Sequence, residues 1–192
     1  MTILIIGLCL FLGMHSLGFL APAWRGRMVA RLGQTRWQGI AGLVGLVGFI
    51  LIVWGYGLAR TAPINLYSPP IWTRHLSLLI MLPVFPLLLA TYLPGRIQAA
   101  VVHPMLTAVI IWALAHLIAN GNLADLLLFG GFLAWALTDR ISLLTRPAPA
   151  VQGAPRSKAN DLIALGAGLA LYVVFLLWAH QWLFGVSPLR LA

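Results

Sequence analysis

Glutamate is absent from this 192-residue chain, and aspartate occurs only at Asp125, Asp139 and Asp161. Charged residues make up 8% of the sequence, against about 25% in soluble domains. This shortage excludes the paired carboxylates of hydrolytic acid–base catalysis. It also removes the spare intramembrane acid that proton-coupled transporters commonly use. Each aspartate has a structural explanation. Asp125 and Asp161 fall in first turns of helices, where the dipole favours negative charge. Asp139 stands beside Arg140, where an ion pair is easy. Cysteine occurs once, at Cys9, so no intrachain disulfide, Cys-x-x-Cys redox pair or thiolate cluster can form. Inside an apolar run, as here, a lone thiol acts as a small hydrophobe. There is no His-Glu-x-x-His zinc signature and no Gly-rich phosphate loop.

What fills the chain is apolar: 61% of the residues are hydrophobic, and the mean hydropathy is +0.98. Runs of about 20 apolar residues cross a bilayer as helices. Six such runs are expected, at 2–20, 39–58, 75–92, 104–119, 123–143 and 161–184. The fold class is therefore all-α, a polytopic transmembrane helix bundle forming one domain over 1–192. Gly39, Gly42, Gly45 and Gly48 recur every third residue in the second run, which lets another backbone approach, within the chain or from a second copy. Pro83 and Pro86 are expected to kink the third. Pro104 suits a first helical turn, and Asn122 is a natural N-cap for the fifth.

The formal charge of +9 does not point to nucleic acid, because the basic residues sit in short loops rather than along a soluble basic stripe. Arg25, Arg27, Arg31, Arg36, Arg96, Arg140, Arg146, Arg156 and Lys158 fall on one side, and Arg60, Arg74 and Arg190 on the other. The positive-inside rule then places both termini outside. The Pro/Ala/Gly/Ser stretch from Arg146 to Lys158 is expected to be a flexible linker on the inner side. Trp24 and Trp37 mark one interface, and Trp54, Tyr56, Trp72 and Trp182 the other.

Five histidines remain as candidates for chemistry. His75 and His103 fall at interfaces, and His180 near Trp178 and Trp182 reads as structural. His116 follows His103 by thirteen positions, ~20 Å of helix, and thirteen steps of about 100° put the two on different faces. They cannot grip one metal from the same helix. His15 and His116 are the most deeply embedded pair, and they come from different runs. Two imidazoles could hold a haem iron axially; equally, each could hydrogen-bond a neighbouring backbone or hydroxyl group between helices.

The ordered set His103-Pro104-Met105-Leu106-Thr107, Trp112-Ala113-Leu114-Ala115-His116-Leu117, Asn120-Gly121 and Phe129-Gly130-Gly131-Phe132 resembles the core of the NnrU family. Met14-His15-Ser16 and Thr73-Arg74-His75 fit the same pattern, so the resemblance covers nearly the whole chain. It implies a small multi-pass protein of the bacterial inner membrane with a link to denitrification. Plant zeta-carotene isomerase is similar to this family. It holds a haem b and performs a redox-gated cis-to-trans change of a carotenoid double bond. The positions matching its haem histidines are His15 and His116, which the resemblance marks as haem b ligands. Two departures stand out. Leu17 follows His15-Ser16 where the isomerase has glycine, and Ala113 occupies the place of a cysteine proposed there as an alternative iron ligand. Thiolate switching is therefore excluded.

The resemblance leaves a haem protein with a redox or isomerase-like role on a lipophilic small molecule as the first expectation. A non-enzymatic transport or assembly factor for denitrification proteins is the second. Membrane methyltransferases of the wider superfamily share an Arg-His-Pro-type motif, but here Val102 precedes His103 and glutamate is absent. That chemistry is the least supported of the three.

Overall fold

The computed structural model describes residues 1–147 and 151–189. Arg190, expected on the outer side, and 148–150 of the expected linker lie outside the described residues. The described residues are helical, with no strand among them and one isolated antiparallel bridge, Asn65 to Asn122. The helices are α1 (Thr2–Leu20), α2 (Pro22–Leu32), α3 (Gln34–Ala59), α4 (Ile71–Met81), α5 (Val84–Ala90), α6 (Arg96–Val101), α7 (Pro104–Ala119), α8 (Leu123–Ser142), α9 (Asn160–Val174) and α10 (His180–Phe184). A π-helical turn, Phe175–Ala179, joins α9 to α10.

All six expected runs are helical, but they do not qualify equally as spans. Four stretches are long and apolar enough to cross a membrane: Thr2–Leu20, Gln34–Ala59, Ile71–Ala90 and Asn160–Phe184. At most 33% of the residues in their apolar windows are buried, so apolar side chains face outward, as a lipid solvent requires. Helix α7 has only 16 residues, about 24 Å of rise against a hydrocarbon core of about 30 Å. Helix α8 has 20 residues but carries Asp125, Asp139 and Arg140.

The described residues form two compact units. The first comprises 1–67 and 121–142. Within it α1 and α3 run antiparallel at backbone contact. A Cβ on Gly48 would meet the Phe11 nitrogen at 2.7 Å, and one on Gly55 would collide with the backbone of Leu4. The buried face of α3 reads Gly45, Gly48, Ile52, Gly55, Ala59, the alternation of three and four steps that one side of a helix demands. Lipid tails are as apolar as leucine, so such contact is held by dispersion and not by the hydrophobic effect. Helix α8 packs alongside α1: Phe11 meets Phe132 with ring centroids 5.7 Å apart, and Gly131 lies against Leu8 and Leu12.

The second unit comprises 68–120 and 143–192, of which 148–150 and 190–192 are outside the described residues. Its core is Val84, Leu87 and Ala108, flanked by Met81, Leu88, Ile111 and Trp112. The third run breaks at Leu82–Pro83, between α4 and α5. Pro86 falls in the first turn of α5, where its missing N–H has no carbonyl to serve, and its ring edge packs against Gly168 of α9.

Three expectations need correction. The basic stretch after α1 is no plain loop but the helix α2, started by Pro22 and stopped at Gly33, whose φ is +80°. The linker is not loose at 153–160. Ala154 donates to the Tyr92 carbonyl at 2.8 Å, and Asn160 Nδ2 donates to the Pro94 and Pro155 carbonyls at 2.9 and 3.0 Å. Arg140 makes no ion pair with Asp139 among the described residues; its Nη1 is buried without a partner, while Ser142 Oγ donates to the Asp139 carboxylate at 3.3 Å. Consecutive helical residues point about 100° apart, so adjacency in sequence does not bring the two side chains together.

Candidate functional site

His15 sits on α1 one turn beyond Phe11. Its Nδ1 donates to the Phe11 carbonyl at 2.7 Å, and its ring stacks on Phe11 with centroids 4.3 Å apart. Trp135 of α8 presents its ring edge-on at 6.2 Å. A carbonyl can only accept, so the imidazole carries its proton on Nδ1, and the lone pair lies at Nε2. Tethering one ring nitrogen this way is how proteins orient a histidine that ligates metal through the other. Ser16, next along, is buried and donates to the Leu12 carbonyl at 2.6 Å.

A groove opens beside this ring, between α1 and the start of α3. Its apolar lobe, about 440 Å³, is lined by Phe11, Met14, His15, Gly42, Leu46 and Phe49. A second lobe, about 260 Å³, shares Met14, His15 and Ala41 with the first and reaches Arg25, Trp37 and Gln38. The glycines make the room: a Cβ on Gly42 would meet nothing within 4 Å, and one on Gly45 would stand 3.5 Å from His15 Cε1. Helix α2 brings Arg25 to the groove because Trp24 packs edge-on against the buried Trp37, with centroids 5.7 Å apart. Trp135 Nε1 is buried with no partner among the described residues.

His116, in the second unit, is half-buried near the end of α7. Its Nδ1 donates to the Trp112 carbonyl at 2.8 Å, and the Trp112 ring lies 5.3 Å away. The tether is therefore the one seen at His15. Asn120 ends the helix, both its backbone N–H and its side-chain amide donating to the His116 carbonyl, at 2.9 and 2.8 Å. Neighbouring Ala115 is wholly buried, and its carbonyl accepts from Ser77 Oγ of α4. Ala113 is wholly buried too.

The remaining histidines differ. His180 Nδ1 donates to the Val186 carbonyl at 2.7 Å and its ring meets Phe184, which ties down the turn after α10. His75 is exposed on α4, and His103 stands at the N-cap of α7. The turn before His103 is a γ-turn about Val102, with φ +66° and the His103 N–H donating to the Val101 carbonyl at 2.8 Å. A β-branched residue at positive φ is strained. No sequence signal announced that turn.

A second polar cluster lay beyond sequence reasoning. Asp125, in the first turn of α8, is 1% exposed. It accepts from Tyr56 Oη of α3 at 2.5 Å and from Asn122 Nδ2, while its own N–H donates to Asn122 Oδ1 at 3.0 Å. Arg60 stacks on the Tyr56 ring at 5.8 Å. The 64–67 loop closes over it, with Leu123 N–H donating to the Ile64 carbonyl and Leu66 N–H to the Gly121 carbonyl, each at 2.8 Å. Asn122 does cap α8, as its position suggests. Asp161 also exceeds its expected part: its carboxylate accepts the Arg96 and Ile97 N–H groups at 2.8 and 3.0 Å and so caps α6.

Among the described residues no group of three or more His, Cys, Asp or Glu side chains could hold a metal ion. A bis-histidine haem needs only one imidazole from each side of the iron. The His15 groove offers one such imidazole, oriented on an apolar slot with Arg25 at one end, while His116 lines neither lobe. The profile of the family described as NnrU protein matches residues 3–188. No curated protein and no solved structure matches the chain.

Proposed function

Because the chain belongs to the NnrU family, we propose that it is a haem b protein of the bacterial inner membrane, with His15 and His116 supplying the imidazole ligands. Its six runs cross the bilayer with both termini outside, which keeps most of its arginines on the inner side. The observation that carries the haem reading is the common tether. His15 and His116 each bond Nδ1 to the carbonyl four residues back, at 2.7 and 2.8 Å, and so each directs its lone pair through Nε2. When bound, haem supplies a one-electron redox centre in an apolar setting. The chain orients the imidazoles and offers the apolar walls. The role we infer is redox or isomerase-like, on a lipophilic molecule, linked to denitrification.

Titrating haem into the detergent-purified protein tests this. The Soret band is expected to appear with the wild type, to be lost or displaced in His15→Ala and in His116→Ala, and to persist in His103→Ala. Absence of a band in the wild type, or equal loss in all three variants, rejects the reading. The alternative, a non-enzymatic transport or assembly factor for denitrification proteins, predicts no spectrum and a defect in nitrite or nitric oxide turnover on deletion.

A further inference from the structure

The groove beside His15 is not uniform along its length. At one end stand Phe11, Leu46 and Phe49, and at the other Arg25 and Gln38. Arg25 is the one formally charged side chain among those lining either lobe. It has no hydrogen-bond or ion-pair partner among the described residues. The first unit offers it no carboxylate: Asp125 is engaged by Tyr56 and Asn122 at the far end of α3, and Asp139 is engaged by Ser142. A guanidinium at the end of an apolar slot attracts an anion, and a carboxylate suits its fork. A pure hydrocarbon in the groove would gain nothing from that cation.

We propose that Arg25, assisted by the Gln38 amide, anchors the carboxylates of an amphipathic ligand whose apolar body lies along Gly42 and Phe49. This rests on the haem reading above: the ligand is haem b, with its propionates toward α2. The assignment makes Arg25 a residue of binding and orientation. It also gives a function to α2, a helix that buries none of its own residues.

The test separates the anchor from the iron ligands. Metal-free protoporphyrin IX keeps the carboxylates and needs no imidazole; its dimethyl ester lacks the charge. Each is titrated by fluorescence into the full-length protein in neutral detergent. The wild type is expected to prefer the free acid. Arg25→Ala is expected to weaken the acid about tenfold, as loss of one charge-assisted pair implies, and to leave the ester unchanged. Gln38→Ala should show a smaller loss of the same kind, and Arg25→Lys should recover part of it. His15→Ala should leave the metal-free acid bound but lose or displace the haem Soret band. Equal affinity of wild type for acid and ester, or equal loss of both in Arg25→Ala, overturns the anchor. So does a tightly held anionic phospholipid that the acid fails to displace. A selective acid effect without a His15-dependent Soret band would keep the anchor and reject the haem reading. Because Arg25 is exposed, an unchanged thermal midpoint is the expected control.

Discussion

The two ends of the first unit carry polar groups in opposite conditions. Where α3 stops and α8 starts, Asp125 is 1% exposed, and Tyr56, Asn122 and its own backbone account for its hydrogen bonding. At the α2 end, Arg25 and Gln38 have no partner among the described residues, and His15 bonds through one ring nitrogen. Both ends share α3, with Tyr56 near its end and Gln38 near its start. A closed cluster joins segments: it fixes α3 to α8 and holds the 64–67 loop over the junction. An open cluster on a groove is equipped to meet something outside the chain. Burial of charge alone would single out the closed end, where the Asp125 carboxylate already has its partners within the chain.

Of these polar groups, the largest loss of stability is expected at Asp125. Replacing it with Ala removes the acceptor of the half-buried Tyr56 hydroxyl and Asn122 amide, each loss costing about 1–3 kcal/mol where water cannot replace the carboxylate. Asp125→Ala is therefore expected to lose roughly 3 kcal/mol, read as a lowered thermal midpoint in detergent, while porphyrin binding per folded molecule stays unchanged. Tyr56→Phe removes one donor and leaves the carboxylate its other bonds. Its loss should be smaller, about 1–2 kcal/mol. If either variant lost the ligand while keeping its stability, the division between a joining end and a binding end would be wrong.

His15→Ala gives the converse result. The side chain is exposed, with one hydrogen bond to its own helix and a ring stack. Alanine is also the better helix former. The expected change in stability is under about 1 kcal/mol, with the Soret band lost or displaced. Denaturant or thermal titration of the apo-protein checks the first, and the visible spectrum the second.

How much of this the sequence disclosed depends on the range of each interaction. Local signals were readable: Pro104 opening α7, Asn122 capping α8, Pro83 breaking the third run. Each acts within one helical turn. Tyr56 and Asp125 are 69 residues apart, and neither periodicity nor composition joins them. Asp161 was legible as a helix-start residue, yet it caps α6, 64 and 65 positions away. Helix α2 escaped notice because its arginines gave a strong topological signal that masked a weaker helical one. The tethers of His15 and His116 were half visible: the residues could be named, and only a backbone shows which nitrogen is held.

The glycine run is the most instructive case, and it supplies the gentlest test. Three residues advance about 300°, so each successive glycine falls about 60° short of the previous one. Over Gly39 to Gly48 the ridge therefore turns through half a circle. Gly48 and Gly45 face α1, and Gly42 and Gly39 rotate away into open space. Equal spacing in sequence thus hides two uses, contact at one end and vacancy at the other. Gly42→Leu should leave stability unchanged or raise it by up to about 1 kcal/mol, since leucine is the better helix former. The same side chain would fill the apolar lobe next to His15. The expected outcome is a native thermal midpoint with porphyrin affinity cut at least tenfold, whereas Gly48→Leu should unfold the α1–α3 pair outright. Undiminished binding in a well-folded Gly42→Leu protein would mean that the ligand does not use this groove.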